Sequence, residues 1–141
     1  MVEPRSRLSD SVRFCLIVAL VVGVFAVLAW PTPAGAAGVV GDGTDTSCTE
    51  AALDGALVGG GAVTFNCGAA PVTIRVTTTK VIAADTSIDG GGLVTISGNG
   101  SVRIFHVNRG MTLDLDDITV ADGKAVEGSG IYVDRGTLNL S

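Results

Sequence analysis

The chain has 141 residues, enough for one domain, with 20 glycines, 4% aromatic residues and a formal net charge of −5. Before residue 15 Arg5, Arg7 and Arg13 outnumber Glu3 and Asp10, so everything after that point is acidic on balance. An acidic body with no basic stripe argues against nucleic acid and anionic lipid as partners, and the abundant glycine suits an all-β chain with many tight corners.

The first stretch reads as an export signal. Cys15 to Trp30 carries no charge and follows the arginine-bearing segment; Pro31, Thr32 and Pro33 lead into Ala34-Gly35-Ala36, which fits small-x-small cleavage. Residues 1–36 are therefore expected to form a signal peptide, cleaved after Ala36. The competing reading is an uncleaved N-terminal anchor, the one route to a membrane. As a helix this run would span about 24 Å, short of a hydrocarbon core of about 30 Å. Export places the protein outside the cell or on its surface.

Residues 37–70 read as an N-terminal cap. Val39 to Thr46 is a Gly/Asp/Thr loop. Ser47-Cys48-Thr49-Glu50 fits a capping box with Ser47 as the N-cap. A short helix over Ala51 to Val58 follows, with Leu53 and Leu57 on one face, and Gly59-Gly60-Gly61 stops it. Gly55 weakens that helix, which then depends on docking. Cys48 and Cys67 are the only cysteines beyond the export segment, and in an exported protein an even pair reads as a disulfide. A metal site would need more ligands than one histidine and two cysteines supply.

Residues 71–141 alternate apolar and polar residues in short runs: Val72-Ile74-Val76, Lys80–Ile82, Ser87-Ile88, Val94-Ile96 and Val102–Val107, separated by Asp89-Gly90-Gly91-Gly92 and Gly98-Asn99-Gly100. One phrase then recurs. Val107-Asn108-Arg109-Gly110-Met111-Thr112-Leu113-Asp114-Leu115 returns as Val133-Asp134-Arg135-Gly136-Thr137-Leu138-Asn139-Leu140, with Met111 as the extra residue. The parity of Leu113 and Leu115 against Ile118 and Val120 places a corner at Asp116-Asp117. A period of about 25 residues predicts equivalent strands pairing in parallel at about 4.8 Å, and thus a right-handed parallel β-helix with a capping helix. The pattern stops at Ser141 inside the second copy, which reads as the front part of a longer protein.

Cys48–Leu53, Gly59–Cys67, Ser87–Gly92, Ile104–Val107 and Gly130–Tyr132 with Gly136–Leu140 together resemble bacterial secreted proteins of the right-handed parallel β-helix, pectin-lyase-like class. The likeness is to the surface repeats of polymorphic outer-membrane proteins. It implies an all-β fold and a secreted or surface location; activities within that class range from adhesin-like binding to polysaccharide cleavage.

Candidate chemistry is sparse. Asp114 and Asp116 lie two apart on one strand face with Asp117 beside them, an imaginable oxygen-only calcium site. Arg103, Arg109 or Arg135 would then serve as the base of a lyase, as the resemblance implies. The bland reading is preferred: outward strand positions are commonly charged, and Asn139 at the place matching Asp114 relieves like-charge stacking. Arg109 and Arg135 precede glycine at matched corners and would meet Asp134 or Asp116. His106 suits a rim or ladder position. Asn99-Gly100-Ser101 and Asn139-Leu140-Ser141 match the glycosylation pattern, which short chains often do by chance. The preferred function is an extracellular or cell-surface binding and structural module, adhesin-like, with glycans or surface proteins as partners, no cofactor and no catalytic residue. The alternative is the N-terminal part of a calcium-dependent, pectate-type polysaccharide lyase.

Overall fold

The computed structural model describes residues 38–141; the expected export segment over residues 1–36 lies outside them. In chain order the elements are β1 (Gly38–Val40), a 3-10 turn (Asp45–Ser47), α1 (Glu50–Leu57), β2 (Gly61–Phe65), β3 (Val72–Arg75), β4 (Lys80–Ile82), β5 (Thr86–Ser97), β6 (Phe105–Val107), β7 (Thr112–Ala121), β8 (Ile131–Val133) and β9 (Thr137–Leu140). A six-stranded sheet runs β1-β2-β5-β7-β9, with β3 also paired to β5, and a three-stranded sheet runs β4-β6-β8.

Every strand pairing among the described residues is parallel, between segments about 25 positions apart. Val63 lies opposite Ile88, Ile88 opposite Leu115, and Leu115 opposite Leu140. The same row begins earlier, with Gly38 opposite Val63. In the small sheet Phe105 lies between Lys80 and Ile131, and Val107 between Ile82 and Val133. Alternation does the sorting. Odd positions of β7 such as Leu113 and Leu115 are buried, while Asp114 and Asp116 face outward. Each fully buried Val, Ile or Leu contributes roughly 1.5–3 kcal/mol of transfer free energy.

This architecture corrects the expected all-β right-handed parallel β-helix. The described residues show two parallel sheets, of six and three strands, and one α-helix; a closed solenoid is not shown among them. Two features make the difference. The helix is part of the core, because Leu53 and Ala56 are buried in the same cluster as Ile88, Ile96 and Leu113. And runs expected as separate strands merge: β5 passes through Asp89-Gly90-Gly91-Gly92 as one 12-residue strand, pairing with β7 on both sides of a register shift between Asp89 and Val94. β7 makes the matching bend with one residue, Asp117, at φ 44°. The corner expected at Asp116-Asp117 is therefore a bend inside a strand.

Two details of the front end also differ. Val39 and Val40, expected at the start of a loop, belong to a strand over Gly38–Val40 that pairs with β2. The helix starts one residue earlier than expected, and its N-cap is Thr49, whose Oγ1 accepts from the Ala52 amide at 3.2 Å. Ser47 instead closes the preceding turn, accepting from the Asp42 amide and donating to the Thr44 carbonyl. Cys48 and Cys67 form a disulfide with Cα atoms 5.7 Å apart, joining the residue before the cap to the end of β2.

The repeated phrase is paired with itself, with its extra residue absorbed at the corner. Val107 lies opposite Val133, 26 positions on, and Thr112 opposite Thr137, 25 positions on. In the first copy the left-handed corner residue is Gly110, φ 77°; in the shorter second copy it is Arg135, φ 53°. Gly136 there passes so close to the Met111 carbonyl that an added Cβ would sit 2.6 Å from its oxygen.

Two outcomes are expected. Gly136→Ala should lower thermal stability by about 1–3 kcal/mol, whereas Arg135→Gly should be neutral or mildly stabilising, as read by paired melting curves. Replacing Cys48 and Cys67 together by serine, which opens a loop with a sequence separation of 19, should remove about 3 kcal/mol, measured by denaturant titration beside the reduced parent.

Candidate functional site

The only ion pairs among the described residues meet at one lysine. Lys80 opens β4 and belongs to the inward row that Phe105 and Ile131 continue, yet it is 3% exposed. A buried ammonium is tolerable only if its three protons are taken up. They are: Nζ donates to Glu50 Oε1 at 2.6 Å and Thr78 Oγ1 at 3.0 Å, and lies 2.7 Å from Asp54 Oδ1. Glu50 and Asp54 are i and i+4 on α1, so one helix face presents both carboxylates to the lysine.

Glu50 is the better-held partner. It also accepts from the amide and hydroxyl of Thr77 and the amide and hydroxyl of Thr78, at 2.8–3.1 Å. Partial burial pushes its pKa up, but the Lys80 ammonium and the threonine donors outweigh that and hold it at about 2, against an ordinary value of 4.5. The group latches the helix to the approach to β4. Sequence reading assigned Glu50 to a capping box and gave Lys80 no role. The available signal was a lysine at an inward position of a strand, which needs carboxylates from elsewhere.

Beside this latch lies a cavity of about 450 Å³, bounded by Leu57, Val58 and Gly60 from the end of α1 and by Val81, Ala83 and Ala84 after Lys80. Asp54 and Lys80 form part of its wall. Val58 and Val81 are 71% and 54% exposed, among the most exposed large apolar residues described. Val81 also begins the outward row of the small sheet, with His106 opposite it and Tyr132 next. The His106 and Tyr132 rings meet edge to face at 5.2 Å. Arg103 lies over the Tyr132 ring, 4.6 Å from its centroid, and donates to the carbonyls of Glu127 and Gly128.

The sequence-predicted residues fall elsewhere. Asp114 and Asp116 do share the outward face of β7, and Asp117 is exposed at the bend. Asp114 accepts from Asn139 Nδ2 at 2.5 Å, and Asp116 accepts from the Ser141 hydroxyl, so both bond to the next strand. The register puts Asp89 opposite Asp116. Among the described residues no group of three or more His, Cys, Asp or Glu is arranged to hold a metal ion, so the three candidate calcium ligands are not brought together as a site. Arg109 and Arg135 are exposed at the two corners and make no ion pair with Asp134 or Asp116. Asn99 sits exposed in a turn with φ 51°, and Asn139 is engaged with Asp114. No described helix is long and apolar enough to cross a membrane.

No protein-family model, curated protein or solved structure matches the chain.

The Glu50 latch fixes a pH dependence. Its folded pKa is depressed, so its contribution is complete above the unfolded value near 4.5 and is lost as pH falls towards about 2. Melting temperature followed from pH 6 to pH 2 should fall through that window, and Glu50→Gln should flatten the fall while lowering stability at neutral pH by about 3 kcal/mol.

Proposed function

We propose that the chain is an exported module that acts outside the cell or on its surface by binding and scaffolding. The observation that carries this reading is the construction of the outward face. Polar side chains there bond across to the neighbouring segment of the sheet, Asn139 to Asp114 and Ser141 to Asp116, instead of converging on a point where a reacting group would sit. Catalysis needs nucleophile, base and charge-stabilising groups within hydrogen-bond reach of one another; a sheet face whose side chains are tied to the neighbouring strand offers instead a fixed set of contacts. The Cys48–Cys67 disulfide supports the extracellular half of the proposal, since disulfides persist in oxidising compartments. The apolar run Cys15 to Trp30 with Ala34-Gly35-Ala36 behind it supports the route. Partners on this reading are surface proteins or glycans.

Expression of the full chain in a bacterial host should place it in the extracytoplasmic or surface fraction, with Ala37 as the N-terminal residue by mass spectrometry. Recovery only from the cytoplasm, uncleaved, removes the proposal. Incubation with polygalacturonate should give no rise in absorbance from unsaturated products, with or without calcium. A sustained calcium-dependent rise would replace the binding role by that of a lyase.

A further inference from the structure

We infer that the cavity at the end of α1 and the Val81–His106–Tyr132 row form one groove, and that it takes an extended peptide segment of a partner protein. This rests on the binding role proposed above and names its site and ligand chemistry. Val81 joins the two parts: it lines the cavity and pairs with His106, which pairs with Tyr132. The cavity wall is aliphatic over Leu57, Val58, Val81, Ala83 and Ala84. Those side chains offer no hydrogen bonds to sugar hydroxyls and suit an apolar anchor of leucine size, for which about 450 Å³ leaves ample room.

The two ends differ in charge. At the helix end Asp54 is half exposed, with a side-chain accessibility of 51%, and the Glu50–Asp54–Lys80 group holds two carboxylates against one ammonium. At the other end Arg103 lies over Tyr132, with no carboxylate within ion-pair distance among the described residues. An occupant complementary to both carries a cation at the helix end and an anion at the Arg103 end. Spacing sets the separation. Val81 and Tyr132 are two strand positions apart, about 9.6 Å at about 4.8 Å per strand, and an extended chain covers that in about three residues at about 3.3 Å each. The ligand is therefore a short motif: an apolar anchor with a basic residue beside it on one side and an acidic residue three positions away on the other, in either chain direction.

The test is selection of a phage-displayed library of random nonapeptides on the full exported protein, in parallel with Val81→Asp and Arg103→Glu. Both positions are at the surface, and unchanged melting curves would confirm that the variants fold. Enrichment of basic–apolar–x–x–acidic sequences, or of the same pattern reversed, is expected, with the selected peptides binding at least tenfold more weakly to Val81→Asp. Arg103→Glu should shift the preference at the third position from the anchor from acidic to basic. No enrichment, or enrichment that both substitutions leave unchanged, overturns the inference. So does saturable binding of an acidic oligosaccharide that Val81→Asp abolishes in the absence of peptide selection, which would make the groove a glycan site. Failure of selection on a protein that is correctly exported sinks the groove alone, whereas cytoplasmic retention sinks the binding role beneath it.

Discussion

An apolar side chain in this protein is buried mainly by the residues about 25 positions before and after it. Ile88 is covered by Val63 and Leu115, and Phe105 lies between Lys80 and Ile131. Parallel pairing with this offset fixes everything else. It decides which face of each short strand turns inward, since a slip of one residue would expose an entire row. Within one row Val63, Ile88 and Leu115 are 1%, 0% and 3% exposed.

The front of the stack is handled differently. There α1 lies against β1 and β2, Gly38 approaches Ala56 too closely for any side chain, and the disulfide ties the helix approach to the end of β2. Lys80 belongs to this arrangement. An apolar residue in its place would simply extend the row of Phe105 and Ile131, as happens one strand later. A lysine there links the row to the helix through Glu50 and Asp54. Such a buried group specifies position more than it adds stability, because desolvation of three charges offsets much of their attraction. Helix docking is thereby fixed in register, which an apolar contact such as Leu53 alone would leave looser.

Much of the strand pattern was legible and the closure of the fold was not. The Val-Asx-Arg-Gly repeat gave the parallel offset of 25–26 because two copies lie within one stretch of sequence. The same offset back to Gly38 is hidden, since β1 and β2 share no recognisable phrase with β7 and pair through the backbone. Glycine punctuation at Asp89-Gly90-Gly91-Gly92 marks only a bend, because pairing with β7 resumes at Val94, five positions after Asp89. Ser47 fits the capping-box pattern, but its hydroxyl is taken up by the Asp42 amide and the Thr44 carbonyl, and Thr49 caps the helix instead. At the candidate site, Asp114, Asp116 and Asp117 drew attention by spacing alone, which cannot see that Asn139 and Ser141 already engage two of them. The Lys80 latch and the Val81–His106–Tyr132 row join residues about 25 to 30 positions apart, and only the pairing register reveals them.

This construction separates what can change from what cannot. Inward rows are constrained from both sides, so one altered residue disturbs the strands before and after it. Outward residues meet their neighbours through single side-chain bonds such as Asn139 to Asp114, and their replacement leaves the rows beneath intact. The Val81–His106–Tyr132 row is of the second kind. Its chemistry is apolar and aromatic, with Arg103 over its last ring, on a chain whose remaining outward positions are mostly threonine, serine, aspartate and asparagine. Nothing in the folding of β4, β6 and β8 requires that departure: the inward partners Ile82, Val107 and Val133 supply the burial, and a threonine at residue 81 or 132 would suit a solvated strand face as well. A surface row whose composition the core does not dictate is the place where a binding preference can be written without loss of the fold.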